Sequence, residues 1–276
     1  MAESPEMPRV STLQELLDLE ELDRDLYRAH NPRQPFTPHL YGGQVAAQAV
    51  RAAAFTVPDG RYPHSMHGYF LRRGEADYPT IMRVARDRDG RSFSARHVVA
   101  LQRGEAIFTA SVSFHVDEES GDYSGVPLPT DIPEPETLTE RDIGNLTIMF
   151  EVRGLFDTFD GAEDVNRWRG ARRLWARTRE PLPDDRVLHI CGLVYLSDMS
   201  TGFVELDVPG LPPGGPSLDH SLYFHRPVRV DDWLFMSLEP VSAAGARGVY
   251  RGSIHDRNGR LGASIFQETL LRPSPA

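Results

Sequence analysis

Residues 217–227 read Ser-Leu-Asp-His-Ser-Leu-Tyr-Phe-His-Arg-Pro, and a shorter version of the pattern stands earlier, at 64–73, as His-Ser-Met-His-Gly-Tyr-Phe-Leu-Arg-Arg. Tyr69-Phe70 is followed two residues later by Arg72, and Tyr223-Phe224 by Arg226. A helix-like segment precedes each copy and an alternating, strand-rich segment follows it. The chain therefore reads as one unit used twice, and a fused pair implies a cleft between its units. Registering the copies puts Tyr69-Phe70 on Tyr223-Phe224, Gly104 on Gly259, and Gln48 close to Asp198.

Working outward, Leu13, Leu16, Leu17, Leu19, Leu22 and Leu26 recur at helical spacing, which predicts a helix over 11–27 capped by Ser11 or Thr12. Gly42-Gly43 precedes an Ala-rich run ending before Pro58, a helix small enough on every side to pack tightly under a wrapped sheet. Antiparallel strands are predicted at 66–72, 79–88, 92–102 and 105–116, with turns at Asp89-Gly90 and Arg103-Gly104. The second unit repeats the order, with strands at 146–154 and 171–179, a helix over 184–197, and strands at 219–226, 233–242, 246–256 and 261–271. The implied division is a disordered lead over 1–10, a first unit over 11–116, a Pro- and acid-rich linker over 117–145, and a second unit over 146–276. The fold class is α+β, a curved antiparallel sheet wrapped around a long helix, twice over.

The 276 residues are 40% hydrophobic and 25% charged, an ordinary globular profile. A net charge of −10 disfavours a nucleic-acid partner, which needs a basic face. All 30 basic residues are arginine. That reads first as compositional bias, with a few guanidiniums available to clamp phosphates bidentately. Cys191 is the single cysteine and sits among apolar neighbours, so a disulfide within the chain and a Cys-x-x-Cys metal site are excluded and a buried structural thiol is expected. No apolar run approaches the roughly 20 residues of a membrane span. The acidic start lacks a signal-peptide pattern and the end is no peroxisomal address, so a reduced cytoplasm is the expected compartment.

Several stretches carry a resemblance. They are Tyr41-Gly-Gly-Gln-Val-Ala-Ala-Gln-Ala, His64-Ser-Met-His-Gly-Tyr-Phe-Leu-Arg-Arg-Gly, Asp89-Gly-Arg-Ser-Phe-Ser-Ala-Arg, Tyr195-Leu-Ser-Asp, Asp219-His-Ser-Leu-Tyr-Phe-His-Arg-Pro and Ala246-Arg-Gly-Val-Tyr-Arg-Gly. In this order and spacing, over roughly residues 12 to 272, the chain resembles the type II acyl-CoA thioesterases, which have a double hotdog fold. The resemblance implies hydrolysis of an acyl-CoA to a fatty acid and coenzyme A without a covalent acyl-enzyme. It needs no cofactor, since coenzyme A belongs to the substrate. The family's Asp, Thr and Gln fall on Asp198, Ser217 and Gln267. Serine in the middle position keeps the hydroxyl and loses the rotamer-limiting methyl, so an altered rate or pocket shape is expected. The loop from Asp198 to Ser217 is a few residues shorter than in familiar members.

The residues themselves fit that chemistry. Asp198 ends an apolar run, where a carboxylate can take a proton from water, and Ser217 and Gln267 can hold that water without competing as bases. Backbone N–H groups near Gly42 and Gly43 could polarise the carbonyl. Arg96 and Arg251, with other arginines, are candidates for the phosphates of coenzyme A, and Tyr69, Phe70 and Tyr223 for the acyl tunnel. Asp219 and His220, adjacent on a strand, face opposite sides and read as structural. His64 and His67 likewise point apart, so no metal site is expected. Two alternatives remain open, a hotdog hydratase or dehydratase working through a histidine, and a non-catalytic acyl-CoA-binding protein. Exposed outer sheet faces imply a homodimer or higher homo-oligomer.

Overall fold

Alanine-rich Gly42–Ala54 forms α2 because alanine gives up no side-chain entropy in a helix, and ten of its thirteen residues are buried. Its counterpart α3, Arg186–Ser197, is capped by the Asp185 carboxylate on the Val187 N–H and is buried nearly all round. Each fully buried aliphatic side chain, such as Leu193, Val194 or Leu196, contributes roughly 1.5–3 kcal/mol relative to an exposed one. The computed structural model describes residues 10–31, 38–130, 132–141, 148–154, 172–203, 210–212 and 214–272. The expected disordered lead lies outside these residues apart from Val10.

Among them, twelve strands form one continuous antiparallel sheet. They are β1 (Glu20–Asp23), β2 (Leu26–Ala29), β3 (Arg61–Phe70), β4 (Thr80–Asp89), β5 (Phe93–Gln102), β6 (Glu105–Val116), β7 (Phe150–Gly154), β8 (Arg172–Thr178), β9 (Asp219–Phe224), β10 (Leu234–Ala244), β11 (Arg247–Asp256) and β12 (Leu261–Leu270). The spatial order is β1-β2-β4-β5-β6-β3-β9-β12-β11-β10-β8-β7. From the central β3–β9 pair outward, the halves match strand for strand. The seam is antiparallel, with His67 opposite Ser221 at its middle.

Two expectations are corrected here. The leucines of 11–27 do not form one helix. A capping box between Thr12 and Glu15 starts α1, but it spans only Leu13–Leu17, because Asp18 turns extended. Asp25, at φ 59°, then turns β1 back onto β2. This hairpin is the partner of β7–β8 in the second half, so tertiary pairing overrode helical spacing. The register of Gln48 with Asp198 also fails, since Gln48 is mid-helix, donating to the Leu16 and His30 carbonyls, whereas Asp198 is a helix C-cap. The connecting segment is anchored rather than free. Trp175 donates to the Pro133 carbonyl, and Arg257 holds Glu134 and Glu136.

The phosphate role for Arg96 is also corrected. Its side chain is 0% exposed. Its guanidinium is spent on the Thr56 hydroxyl and carbonyl, the Arg88 and Ala95 carbonyls, and Asp89 at 2.8 Å. A cation so placed ties the end of α2 to β4 and β5, because a buried charge persists only when paired and fully hydrogen-bonded. Cys191 is fully buried, and burial pushes its thiol up to about 12.

Two outcomes follow. Arg96→Met should lower stability by about 3 kcal/mol, the order seen when a buried pair is broken, and leave the KM for acyl-CoA unchanged. A rise in KM without loss of melting temperature would restore Arg96 as a phosphate ligand. Burial also holds His64, His189, His220, His225 and His255 below the usual imidazole range. As pH falls below about 6.5, the unfolded chain takes up protons that the folded chain refuses, so stability is full above that pH and declines beneath it. A second loss follows below roughly pH 4 from carboxylates held low, Asp25 by its Arg86 pair and Asp89 by Ser94 and then Arg96. Melting temperatures recorded from pH 8 to 5 should show the first decline; a level profile would mean these imidazoles take up protons in the folded state.

Candidate active site

Asp198 stands where α3 stops, with φ −96° and ψ 9°. Its carboxylate is half-buried against the start of α2, and a methyl placed on Gly42 would lie 2.6 Å from Asp198 Oδ2 and 2.9 Å from the Phe70 ring. Glycine at this position therefore leaves the space between a helix N-terminus and a carboxylate open. Tyr41, the N-cap of α2, makes no side-chain capping bond, so the first N–H groups of that helix are left to face the opening. Gly43 allows equally close packing, since a methyl there would meet the Tyr195 carbonyl at 2.6 Å.

Ser217 and Gln267 arrive from the other side, on the segment before β9 and on β12. Ser217 is bridged to Thr269, which sets it beside the β12 residues. Gln267 Nε2 donates to Asp198 Oδ1 at 2.9 Å and also to Ser217 Oγ, while Ser217 Oγ donates to Asp198 Oδ1 at 3.3 Å. Three side chains separated by up to 69 positions in the chain thus share one carboxylate oxygen. Alternation on β12 turns Gln267 inward, where it is 2% exposed, and Phe266 outward.

The walls are aromatic. The Tyr41 hydroxyl donates to the Tyr195 carbonyl at 2.7 Å, Tyr195 stacks on Phe150, and the Tyr250 hydroxyl donates to the Ser200 carbonyl. Burial, then the nearby Asp198 charge, pushes the Tyr41 and Tyr250 hydroxyls well above their ordinary range, so both stay neutral donors. His220 lies behind the trio, wholly buried, with Nε2 at 2.7 Å from Ser197 Oγ. Burial pushes its pKa down, and the Asp198 charge opposes that. Asp219 points elsewhere and accepts from the Glu268 N–H. The opposed faces expected for this pair are what the strand produces, yet the support His220 gives to the trio was missed. Met66, the repeat's counterpart of His220, is apolar, and that contrast was the available signal.

The remaining sequence-derived candidates divide. Phe70 reaches the opening with Gly42. Tyr69 and Tyr223 stand on the outer face of the seam, 62% and 41% exposed, the latter edge-on to His67. The Arg251 guanidinium lies 3.2 Å from Glu239 on the solvent side of β11, the face opposite Tyr250. None of these three faces the carboxylate, because strand alternation turns them away from it.

Comparison with known proteins agrees with this architecture. The family described as acyl-CoA thioesterase N-terminal domain matches residues 30–115, and the one described as acyl-CoA thioesterase C-terminal domain matches residues 129–271. The chain is 31% identical to acyl-coenzyme A thioesterase 8 of Rattus norvegicus, over 94% of this chain and 88% of that protein. It is 31% identical to acyl-CoA thioesterase 2 of Haemophilus influenzae, over 95% and 98%. The crystal structure of acyl-CoA thioesterase II TesB2 from Mycobacterium marinum superposes with a TM-score of 0.80 at 35% identity, covering 95% of this chain and 99% of that one. Matched in both halves, in sequence and in fold, the chain belongs to the type II acyl-CoA thioesterase family, with a double hotdog architecture.

Proposed function

We propose that this protein hydrolyses the thioester of an acyl-CoA to a fatty acid and coenzyme A, with water as the nucleophile. The observation that carries the reading is the convergence of Ser217 and Gln267 on Oδ1 of Asp198, whose Oδ2 lies against the N-terminus of α2. In the proposed step, Asp198 takes a proton from a water held by the Ser217 hydroxyl and the Gln267 amide. The water oxygen bonds to the thioester carbon, and the carbonyl oxygen gathers negative charge. The open end of α2, with its unclaimed N–H groups and positive dipole end, opposes that charge. Collapse of the adduct breaks the C–S bond, and the thiolate leaves and is protonated. Water suffices, so the reaction calls for no cofactor.

A histidine-based hydratase is disfavoured by the placement of His220, which has no surface and faces Ser197. We further place the protein in a reduced cytoplasm, which suits its one buried thiol. Association of copies through the outer face of the seam is supported by the exposed Tyr69, Tyr223 and Phe266 rings.

Thiol release from acyl-CoAs of increasing chain length tests the reading. Asp198→Asn should lower kcat by about 10²- to 10⁴-fold, the usual weight of a positioned base, while acyl-CoA still binds. Unchanged turnover would remove Asp198 from the chemistry, and binding without any thiol release by the native protein would leave a non-catalytic binder. Gly42→Ala brings a methyl against Asp198 and Phe70. It should cut kcat by roughly 10²-fold, the scale of an ångström-level misplacement, at nearly unchanged melting temperature. Wild-type rates in that variant would show that the opening is not the reacting position.

A further inference from the structure

The matched halves define a second position related to the active site by the internal repeat. Pro63 stands seven residues before Phe70 as Ser217 stands seven before Phe224. Val112 pairs with Met66, and Gln267 falls opposite His220, one step past the Phe266–Ser221 pair, so Val112 occupies the place of Gln267. Arg96 pairs with Val112 as Tyr250 pairs with Gln267. At the helix ends, Phe55 caps α2 where Asp198 caps α3, and Arg186 begins α3 where Gly42 begins α2. The counterparts of Asp198, Ser217 and Gln267 are therefore Phe55, Pro63 and Val112, none of which offers a carboxylate, hydroxyl or amide side chain to activate water.

It has kept a groove. A cavity of about 630 Å³ is lined by Pro63, Arg186 and Phe224, the counterparts of Ser217, Gly42 and Phe70. That volume is within the range of small-molecule sites. Ile190, Leu193 and Val228 extend its apolar wall, and its charged lining is five arginines against three aspartates, in a protein whose net charge is −10. Four of the arginines are held by carboxylates: Arg186 by Asp117, Arg226 by Asp122, Arg229 by Asp184 and Asp231, and Arg257 by Glu134 and Glu136. All of these acids except Asp231 are more than half exposed. Solvated pairs of that kind are weak and exchange readily for a better-placed anion. The Arg260 guanidinium makes one hydrogen bond among the described residues, to the Pro227 carbonyl at 3.4 Å, while its backbone N–H donates to the Asp256 carboxylate.

We propose that this cavity is a second, non-hydrolysing ligand site, taking an acyl chain that bears an anionic head. The apolar wall takes the chain, and Arg257 and Arg260 at the rim take the head. That chemistry is common to an acyl-CoA and to a free fatty acid. The choice of ligand class rests on the proposed hydrolysis, whereas the existence of the site does not.

The test is stoichiometry by isothermal titration on the full chain. Laurate is titrated into the native protein, and lauroyl-CoA, below its micellar concentration, into Asp198→Asn. Two lauroyl-CoA per chain are expected, one of them weakened at least tenfold when Arg257→Glu and Arg260→Glu are added. Both substitutions are on exposed residues, and in the native background thiol release at low substrate should be unchanged. Charge-sensitive laurate binding would identify the head as a carboxylate; charge-sensitive binding of lauroyl-CoA and free coenzyme A, without laurate, would identify it as phosphate. Either supports the site. A single lauroyl-CoA per chain, indifferent to both charge reversals, together with no charge-sensitive laurate binding, would overturn it. Failure of thiol release in the native protein with two ligands bound would instead count against the hydrolytic reading alone.

Discussion

The antiparallel pairing of β3 with β9 is the constraint on which the rest depends. Ser65 to Tyr69 lie opposite Tyr223 to Asp219, and this one ladder turns two half-sheets into a single twelve-stranded surface. Because the ladder is antiparallel, the halves are related by a twofold rotation, so the two long helices run against each other. The N-terminus of α2 is thereby brought to the C-cap of α3. Neither helix has any local reason to end where it does relative to the other. The carboxylate of Asp198 and the open turn at Gly42 meet because the seam fixes the distance.

A symmetric frame would be expected to carry two equivalent sites, and side-chain chemistry breaks the equivalence. On one side Tyr250, Gln267 and Ser217 surround a carboxylate. On the other, Arg96, Val112 and Pro63 stand at the same places. Arg96 fills its volume with a guanidinium whose hydrogen bonds are all made internally, which converts a reacting position into a tie between helix and sheet. Burial of that cation is tolerated because Thr56, two backbone carbonyls and Asp89 receive it. The same duplication thus accounts for where the chemistry sits and for where it does not.

The aromatic lining matters for the energetics of the site. Tyr41, Tyr195, Tyr250 and Phe70 exclude water from around a charge that would otherwise be well solvated, which strengthens each hydrogen bond made there and raises the penalty for leaving one unmade. His220 and Ser197 extend the polar surroundings behind Gln267 on the β9 side of β12.

The sequence by itself determined the repeat, the Ala-rich helix ending before Pro58, the helix over 184–197, and nearly every strand after residue 60, because periodicity and turn residues are local properties. Through its resemblance to a known family it also named Asp198, Ser217 and Gln267 as partners. The tertiary structure alone decided three things. The leucines of 11–27 became a short helix and a hairpin, since pairing of β2 with β4 outweighs helical spacing that any single segment can satisfy. Arg96, an arginine like twenty-nine others by composition, became a buried tie, since burial is set by what packs over a position. Arg251, Tyr69 and Tyr223 were turned outward by strand register. The convergence of residues up to 69 positions apart on one oxygen also belongs to the tertiary structure, because distance across a sheet seam is not encoded in any local pattern.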